Sequence, residues 1–305
     1  MQYLDTHAHL NLQQFDDDRA EVFALCAKLS VGMINVGTRK ETSALAVELA
    51  NQYENAWAIV GVHPCSVVDV DPDDHGVKES EPVFDYDFYK TLAADTKTVG
   101  IGECGFDYSR TSESRGSSVS YHMTERAKGA SFAYGHNAED TFELQREVFL
   151  DQIELANEVG KPLMLHLRND PKGGTRCAYN DALDILKTEA KVAGNAHFYA
   201  GTIAQAKAFF DLGFTISFTG VVTFPAHKPG VQDYLDVVEY APLDMIHAET
   251  DCPYVAPVPH RGQRCEPWMV QEVYKSIAQV KGEDEEKVRK QLLENARQLY
   301  RLSID

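Results

Sequence analysis

The chain has 305 residues, 44% of them hydrophobic and 25% charged, with a formal net charge of −18 at pH 7. That composition belongs to a folded, enzyme-sized protein rather than a disordered one. The acidic balance excludes a passive, sequence-independent DNA-binding surface but leaves room for a locally basic or metal-filled site.

Residues 2–10 alternate as a β-strand does, with Leu4, Thr6 and Ala8 on one face and Asp5, His7 and His9 on the other. Two imidazoles on one strand face can bind one metal ion. A helix over 19–29, a strand over 33–36 and a helix over 42–52 follow. The strand over 56–62 runs into Gly61-Val62-His63-Pro64, and an acidic stretch over 69–87 leads to a helix around 88–94.

The fourth strand, 98–101, ends in Gly102-Glu103-Cys104-Gly105. Residues 108–140 are rich in Ser, Gly and charge and have no period, so they read as an insertion leaving the same end of the fold as Glu103. Between positions 109 and 137, Arg110, Arg115, Arg126 and Lys128 outnumber Glu113 and Glu125, and Tyr121, Phe132 and Tyr134 can stack on unpaired bases. The expectation is a lid that holds a single strand.

A helix over 142–159 precedes the strand 162–165, which leads into His166-Leu167-Arg168. A helix near 181–189, a strand over 195–198, a helix over 203–212 stopping at Gly213, and a strand over 214–218 come next. A helix over 231–240 and the eighth strand, 245–249, end in Thr250-Asp251-Cys252-Pro253, and helices around 267–280 and 284–301 close the chain.

Eight strand-then-helix units predict an α/β fold of the (β/α)₈ TIM-barrel type, one domain over 1–305 with the insertion at about 108–140. No glycine-rich dinucleotide fingerprint follows the first strand to favour an open sheet. No apolar run reaches a membrane span, and no basic segment with an apolar core opens the chain. The expected location is the cytoplasm, with no membrane or obligatory protein partner and a monomeric state. Six scattered cysteines without a Cys-x-x-Cys pair read as free thiols. Cys104 and Cys252, each following a proposed ligand, read as packing residues.

Chemistry in such barrels sits at the C-terminal strand ends. His7, His9, His63, Glu103, His166, His197 and Asp251 all fall there. Each alone has an ordinary structural explanation; together they point to a metal site. His7, His9, Glu103, His166, His197 and Asp251 can hold two divalent ions, with Glu103 as the bridge and Asp251 as acceptor of the water proton. Imidazoles favour Zn²⁺, Mn²⁺ or Fe²⁺ and Mg²⁺ prefers oxygen, so the metal stays open.

Asp-Thr-His-Ala-His-Leu at 5–10, Gly-Val-His-Pro at 61–64, Gly-Ile-Gly-Glu-Cys-Gly-Phe-Asp at 100–107 and Pro-Leu-Met-Leu-His-Leu-Arg at 162–168 occur in order. Asp-Leu-Gly-Phe-Thr-Ile-Ser-Phe-Thr-Gly at 211–220 and Glu-Thr-Asp-Cys-Pro-Tyr at 249–254 complete the set. With these motifs the chain resembles the TatD-type metal-dependent deoxyribonucleases of the amidohydrolase superfamily.

The resemblance implies a barrel hydrolase that needs divalent metal and cuts DNA phosphodiester bonds, as a 3′-5′ exonuclease on single strands or 3′ ends. It carries the ligand roles onto the same six residues. His63 matches a site histidine, with substrate or a further metal as its open alternatives. Phe198-Tyr199-Ala200-Gly201, Cys265 and Pro225 depart from the usual pattern.

The competing expectations are an amide or ester hydrolase using the same ligands, and a non-catalytic metal-binding barrel. A basic cluster favours phosphate: Arg39, Lys40, Arg168, Lys172, Arg176, Lys228, His260, Arg261 and Arg264 follow strand ends, though Asp16–Asp18 oppose them. His63, Arg168 and Arg261 are the candidate substrate contacts.

Overall fold

The computed structural model describes residues 1–67, 84–109 and 138–303. Most of the expected lid and most of the acidic stretch lie outside the described residues. Strands β1 (Tyr3–Ala8), β2 (Val31–Val36), β3 (Ala56–Val60), β4 (Thr98–Asp107), β5 (Leu163–Arg168), β6 (Gly194–Ala196), β7 (Thr215–Phe218) and β8 (Ile246–Ala248) form one sheet. They pair in sequence order, every pair parallel. The helices are α1 (Arg19–Lys28), α2 (Lys40–Gln52), the single turn α3 (Pro64–Val67), α4 (Tyr86–Ala93) and α5 (Ala138–Val159). After them come α6 (Ala178–Glu189), α7 (Ile203–Asp211), α8 (Val231–Tyr240), α9 (Val270–Lys281) and α10 (Glu285–Tyr300). Among the described residues no helix is long and apolar enough to cross a membrane.

Sequence chemistry starts and stops these helices. Thr202 and Gln205 cap α7 reciprocally, each side chain accepting the other's backbone N–H. Asp284 accepts from Lys287 N–H at the start of α10. Gly282, at φ 63, ends α9 in the left-handed conformation.

The sheet closes on itself through residues just past β8. Ala8 bridges Cys252 in parallel, Asp251 N–H donates to the His7 carbonyl at 2.9 Å, and His9 N–H donates to the Cys252 carbonyl at 3.0 Å. The contacts that close the barrel are therefore made by the backbone of site residues and their neighbours.

The core has two parts. The larger joins the outer face of the sheet to the helices, with Ala8, Met33, Ala58, Cys104 and Cys252 among its members. The smaller lines the inner face, where Leu4, Ile34, Ile59 and Met164 pack on Ala296 and Tyr300 of α10 and on Leu302. Leu4 and Ala8 fall on different sides, which corrects the expected strict alternation of the first strand. The cause is a bulge: β1 spends three residues from Asp5 to Ala8 while β2 spends two from Met33 to Asn35.

The fourth strand also runs further than its glycines suggested, to Asp107. From Ile101 to Cys104 it uses three residues against two on β5, a second bulge, around Gly102 and Glu103. Gly102 has φ 151, and a Cβ there would stand 2.5 Å from the Met164 carbonyl oxygen, so only glycine fits.

Candidate active site

The two bulges lie within β1 and β4 at His7 and Glu103, and both side chains turn toward the mouth at the C-terminal strand ends. A cavity of about 520 Å³ opens there, with His9, His63, Glu103, His166, His197 and Asp251 in its wall. His7 lies directly beneath, fully buried, its ring stacked on that of His197 at 3.9 Å. All six expected ligands thus converge, although β1, β4, β5 and the residues just after β1, β6 and β8 deliver them separately.

The donor atoms form two sets. In the first, His7 Nε2 and His9 Nε2 are 3.0 Å apart. Glu103 Oε2 is 3.5 and 3.9 Å from them, and Asp251 Oδ1 is 3.8 and 3.5 Å away. In the second, Glu103 Oε1 lies 2.6 Å from His197 Nε2 and 2.8 Å from His166 Nδ1, and the two nitrogens are 3.2 Å apart. His63 Nε2 is 3.6 Å from the same oxygen. Imidazole nitrogens and carboxylate oxygens crowded this closely fit divalent cations, because lone pairs facing one another need positive charge between them. The His7, His9, Asp251 group and the His63, Glu103, His166 group each have their donor atoms within 4.8 Å of one another.

Electrostatics support the same reading. Burial pushes the Glu103 carboxyl up, but His197, His63 and His7 around it, with the hydrogen bond from His166, hold it well below the usual range. Asp251 is likewise raised by burial and brought below its ordinary value by His9, His7 and His197. Backbone strain gathers here too: Phe198, Asp251 and Val255 all have positive φ and all line the cavity.

Three residues without an assigned role in the sequence belong to the site's support. Asp107, at the end of β4, meets His166 Nε2 at 3.0 Å. Its own carboxylate accepts from Ser109 N–H and Oγ–H. Glu249 is buried below His197, accepting from Phe198 N–H and from Ser217 Oγ–H, with His197 Nδ1 3.7 Å away. Asp5 points away from the cavity and accepts from Thr250 N–H and Oγ–H. A carboxylate at or beside a strand end was the available signal for Asp107 and Glu249, whereas Asp5 lies inside β1.

The basic cluster divides. Arg39 and Arg168 line the cavity. Arg264 is instead paired with both oxygens of Asp18, Arg176 with Asp181, and Lys40 with Asp85. Arg261 lies over the Phe224 ring and donates to the Ala256 carbonyl, outside the cavity lining. Cys104 and Cys252 are buried packing residues, as expected.

Comparison with known proteins agrees. Residues 4–301 match the family described as TatD related DNase. The chain is 33% identical to the uncharacterized metal-dependent hydrolase YabD of Bacillus subtilis, over 98% of this chain and 99% of that one. It is 26% identical to the 3′-5′ ssDNA/RNA exonuclease TatD of Klebsiella pneumoniae, over 99% and 98% of the two chains. In fold it is similar to YjjV, a TatD homolog from Escherichia coli, with a TM-score of 0.75 and 22% identity over 99% of this chain and 98% of that one. With a match spanning almost its whole length and a donor set to go with it, the chain belongs to the TatD-related DNase family and is a metal-dependent hydrolase.

Proposed function

We propose that the chain hydrolyses phosphodiester bonds of DNA as a 3′-5′ exonuclease on single strands or 3′ ends. Two divalent ions would be held by His7, His9, Glu103, His166, His197 and Asp251. The observation that carries this reading is the division of Glu103, whose Oε2 faces His7 and His9 while Oε1 faces His166 and His197. One carboxylate serving two nitrogen-rich sets can keep two like-charged ions side by side. Imidazoles favour Mn²⁺ or Zn²⁺, whereas Mg²⁺ would lean on the carboxylates. Bound there, the ions would supply Lewis acidity and a nucleophile at neutral pH.

Asp251 accepts the proton of the attacking water. Its side chain is 15% exposed in the cavity wall, and its Oδ1 stands 3.5 Å from His9 Nε2. Arg168 and Arg39 neutralise phosphate charge, and Arg261 is left to a flanking nucleotide. Every group named comes from one chain, so a monomer suffices. Six cysteines outside any disulfide suit a reducing, cytoplasmic setting.

Labelled single-stranded DNA should shorten stepwise from its 3′ end in Mn²⁺ or Mg²⁺ and stay intact in chelator. A panel of amides and esters that turned over while DNA did not would overturn the nuclease assignment.

A further inference from the structure

His63 follows β3 and opens the single turn α3. The backbone N–H of Cys65 donates to His63 Nδ1 at 3.0 Å. An amide nitrogen can only donate, so Nδ1 must carry a lone pair and no proton. A ring bare at Nδ1 and neutral bears its proton on Nε2. That nitrogen is the one facing the cavity, 3.6 Å from Glu103 Oε1.

His9 is the opposite case. Its Nδ1 meets the Val36 carbonyl at 2.8 Å, and a carbonyl can only accept. The proton of His9 is therefore on Nδ1, and its Nε2 lone pair faces the site. Two histidines in one wall are locked as opposite tautomers by backbone groups of opposite character.

The His63 ring is fixed on other sides as well. The main-chain N–H of His63 donates to the Thr38 carbonyl at 2.8 Å, which anchors the backbone that carries the ring, and the ring meets that of His166 edge-on with centroids 4.2 Å apart. A metal ion needs a lone pair, and a pinned Nε2–H offers none.

We infer that His63 is not a metal ligand but a preset N–H donor to a non-bridging oxygen of the substrate phosphate. The ligand class follows from the donor's surroundings: Arg39 and Arg168 line the same cavity, so the acceptor that meets Nε2–H there is an anionic oxygen. The phosphate rests on the phosphodiester reading above; the tautomer does not.

Two variants separate the roles. His63→Gln puts an amide N–H₂ near the place of Nε2 but leaves nothing for Cys65 N–H. His63→Asn puts an oxygen near the place of Nδ1 and stops short of the cavity. Calorimetric titration of metal-free protein with Mn²⁺ should give both variants affinities within about threefold of wild type, where loss of a true ligand or its support costs about tenfold or more. On labelled single-stranded DNA, kcat/KM should fall roughly 10- to 100-fold in His63→Asn, and His63→Gln should recover most of that loss. Melting temperature should follow the reverse order, since only Asn keeps the bond to Cys65.

Nitrogen-15 spectra of histidine-labelled, metal-free protein should show the signal missing from His63→Gln as an Nε2–H form. An Nδ1–H form, a tenfold loss of Mn²⁺ affinity in both variants, or equal activity of Gln and Asn would each overturn the inference. If wild type cuts no DNA, the nuclease reading fails, while the spectra and the Mn²⁺ titration still decide whether His63 is a donor or a ligand.

Discussion

Asp107 Oδ2 lies 3.0 Å from His166 Nε2, on the edge of the ring opposite the one that meets Glu103 Oε1 at 2.8 Å. A carboxylate behind a histidine fixes which nitrogen holds the proton and makes the other a better ligand. Burial raises Asp107, but the hydrogen bond and charge of His166 pull it far below the usual carboxylate range. Asp107→Asn keeps the shape and removes the charge. Mn²⁺ affinity should drop about 10- to 100-fold with little loss of melting temperature, as read by calorimetry on metal-free protein.

Asp251→Asn tests the proton acceptor. It keeps the volume and loses the basicity, so turnover on single-stranded DNA should fall by roughly two orders of magnitude or more. Substrate binding should change far less. Turnover near the wild-type value would mean that another group takes the proton.

Metal removal is the broader check. Dialysis against chelator should abolish hydrolysis, and Mg²⁺ or Mn²⁺ should restore it. Hydrolysis that persists in chelator, in protein shown by elemental analysis to hold no divalent metal, would contradict the assignment.

The Asp5–Thr250 pair should matter for stability rather than chemistry. Asp5 is fully buried and accepts from His7 N–H at 3.2 Å as well as from Thr250 N–H at 2.8 Å, tying β1 to the chain after β8. Asp5→Ala leaves these buried donors unpaired and should cost about 3 kcal/mol in urea unfolding, with Asp5→Asn costing less because it still offers one oxygen. Equal stability of the two variants would mean that the pair does not hold the barrel closed.

His247 should give an acid-sensitive component of stability. Burial lowers its pKa from 6.5 to about 4, with Glu249 opposing. As pH falls, the unfolded chain takes up this proton near 6.5 and the folded chain only near 4, so stability is lost between those values. The contribution is worth up to about 3 kcal/mol. In metal-free protein, His247→Gln should flatten the fall of unfolding free energy from pH 7 to pH 4.5. An unchanged slope would assign the acid sensitivity to other groups.

Much of this site was legible because barrel geometry turns a one-dimensional fact into a three-dimensional one. A histidine or carboxylate at the end of a parallel strand must face the same mouth as its counterparts on other strands. His7, His9, Glu103, His166, His197 and Asp251 could thus be grouped across more than 240 positions of sequence. The charged surface was less legible. Arg264 and Arg168 look alike in sequence, but Asp18, far away in the chain, pairs with the first, while the second faces the cavity.

Periodicity by itself determined the eight strand–helix units and the residues at their ends, since alternation and helical spacing are properties of neighbouring residues. Only the tertiary structure decided where that alternation breaks. The bulges at 5–8 and 101–104 depend on the partner strand's register, and they set where His7 and Glu103 stand. The tautomers of His9 and His63 were likewise undecided until folding brought a carbonyl to one ring and an amide to the other. A proton's position follows from the group it meets, and that meeting is made by the fold.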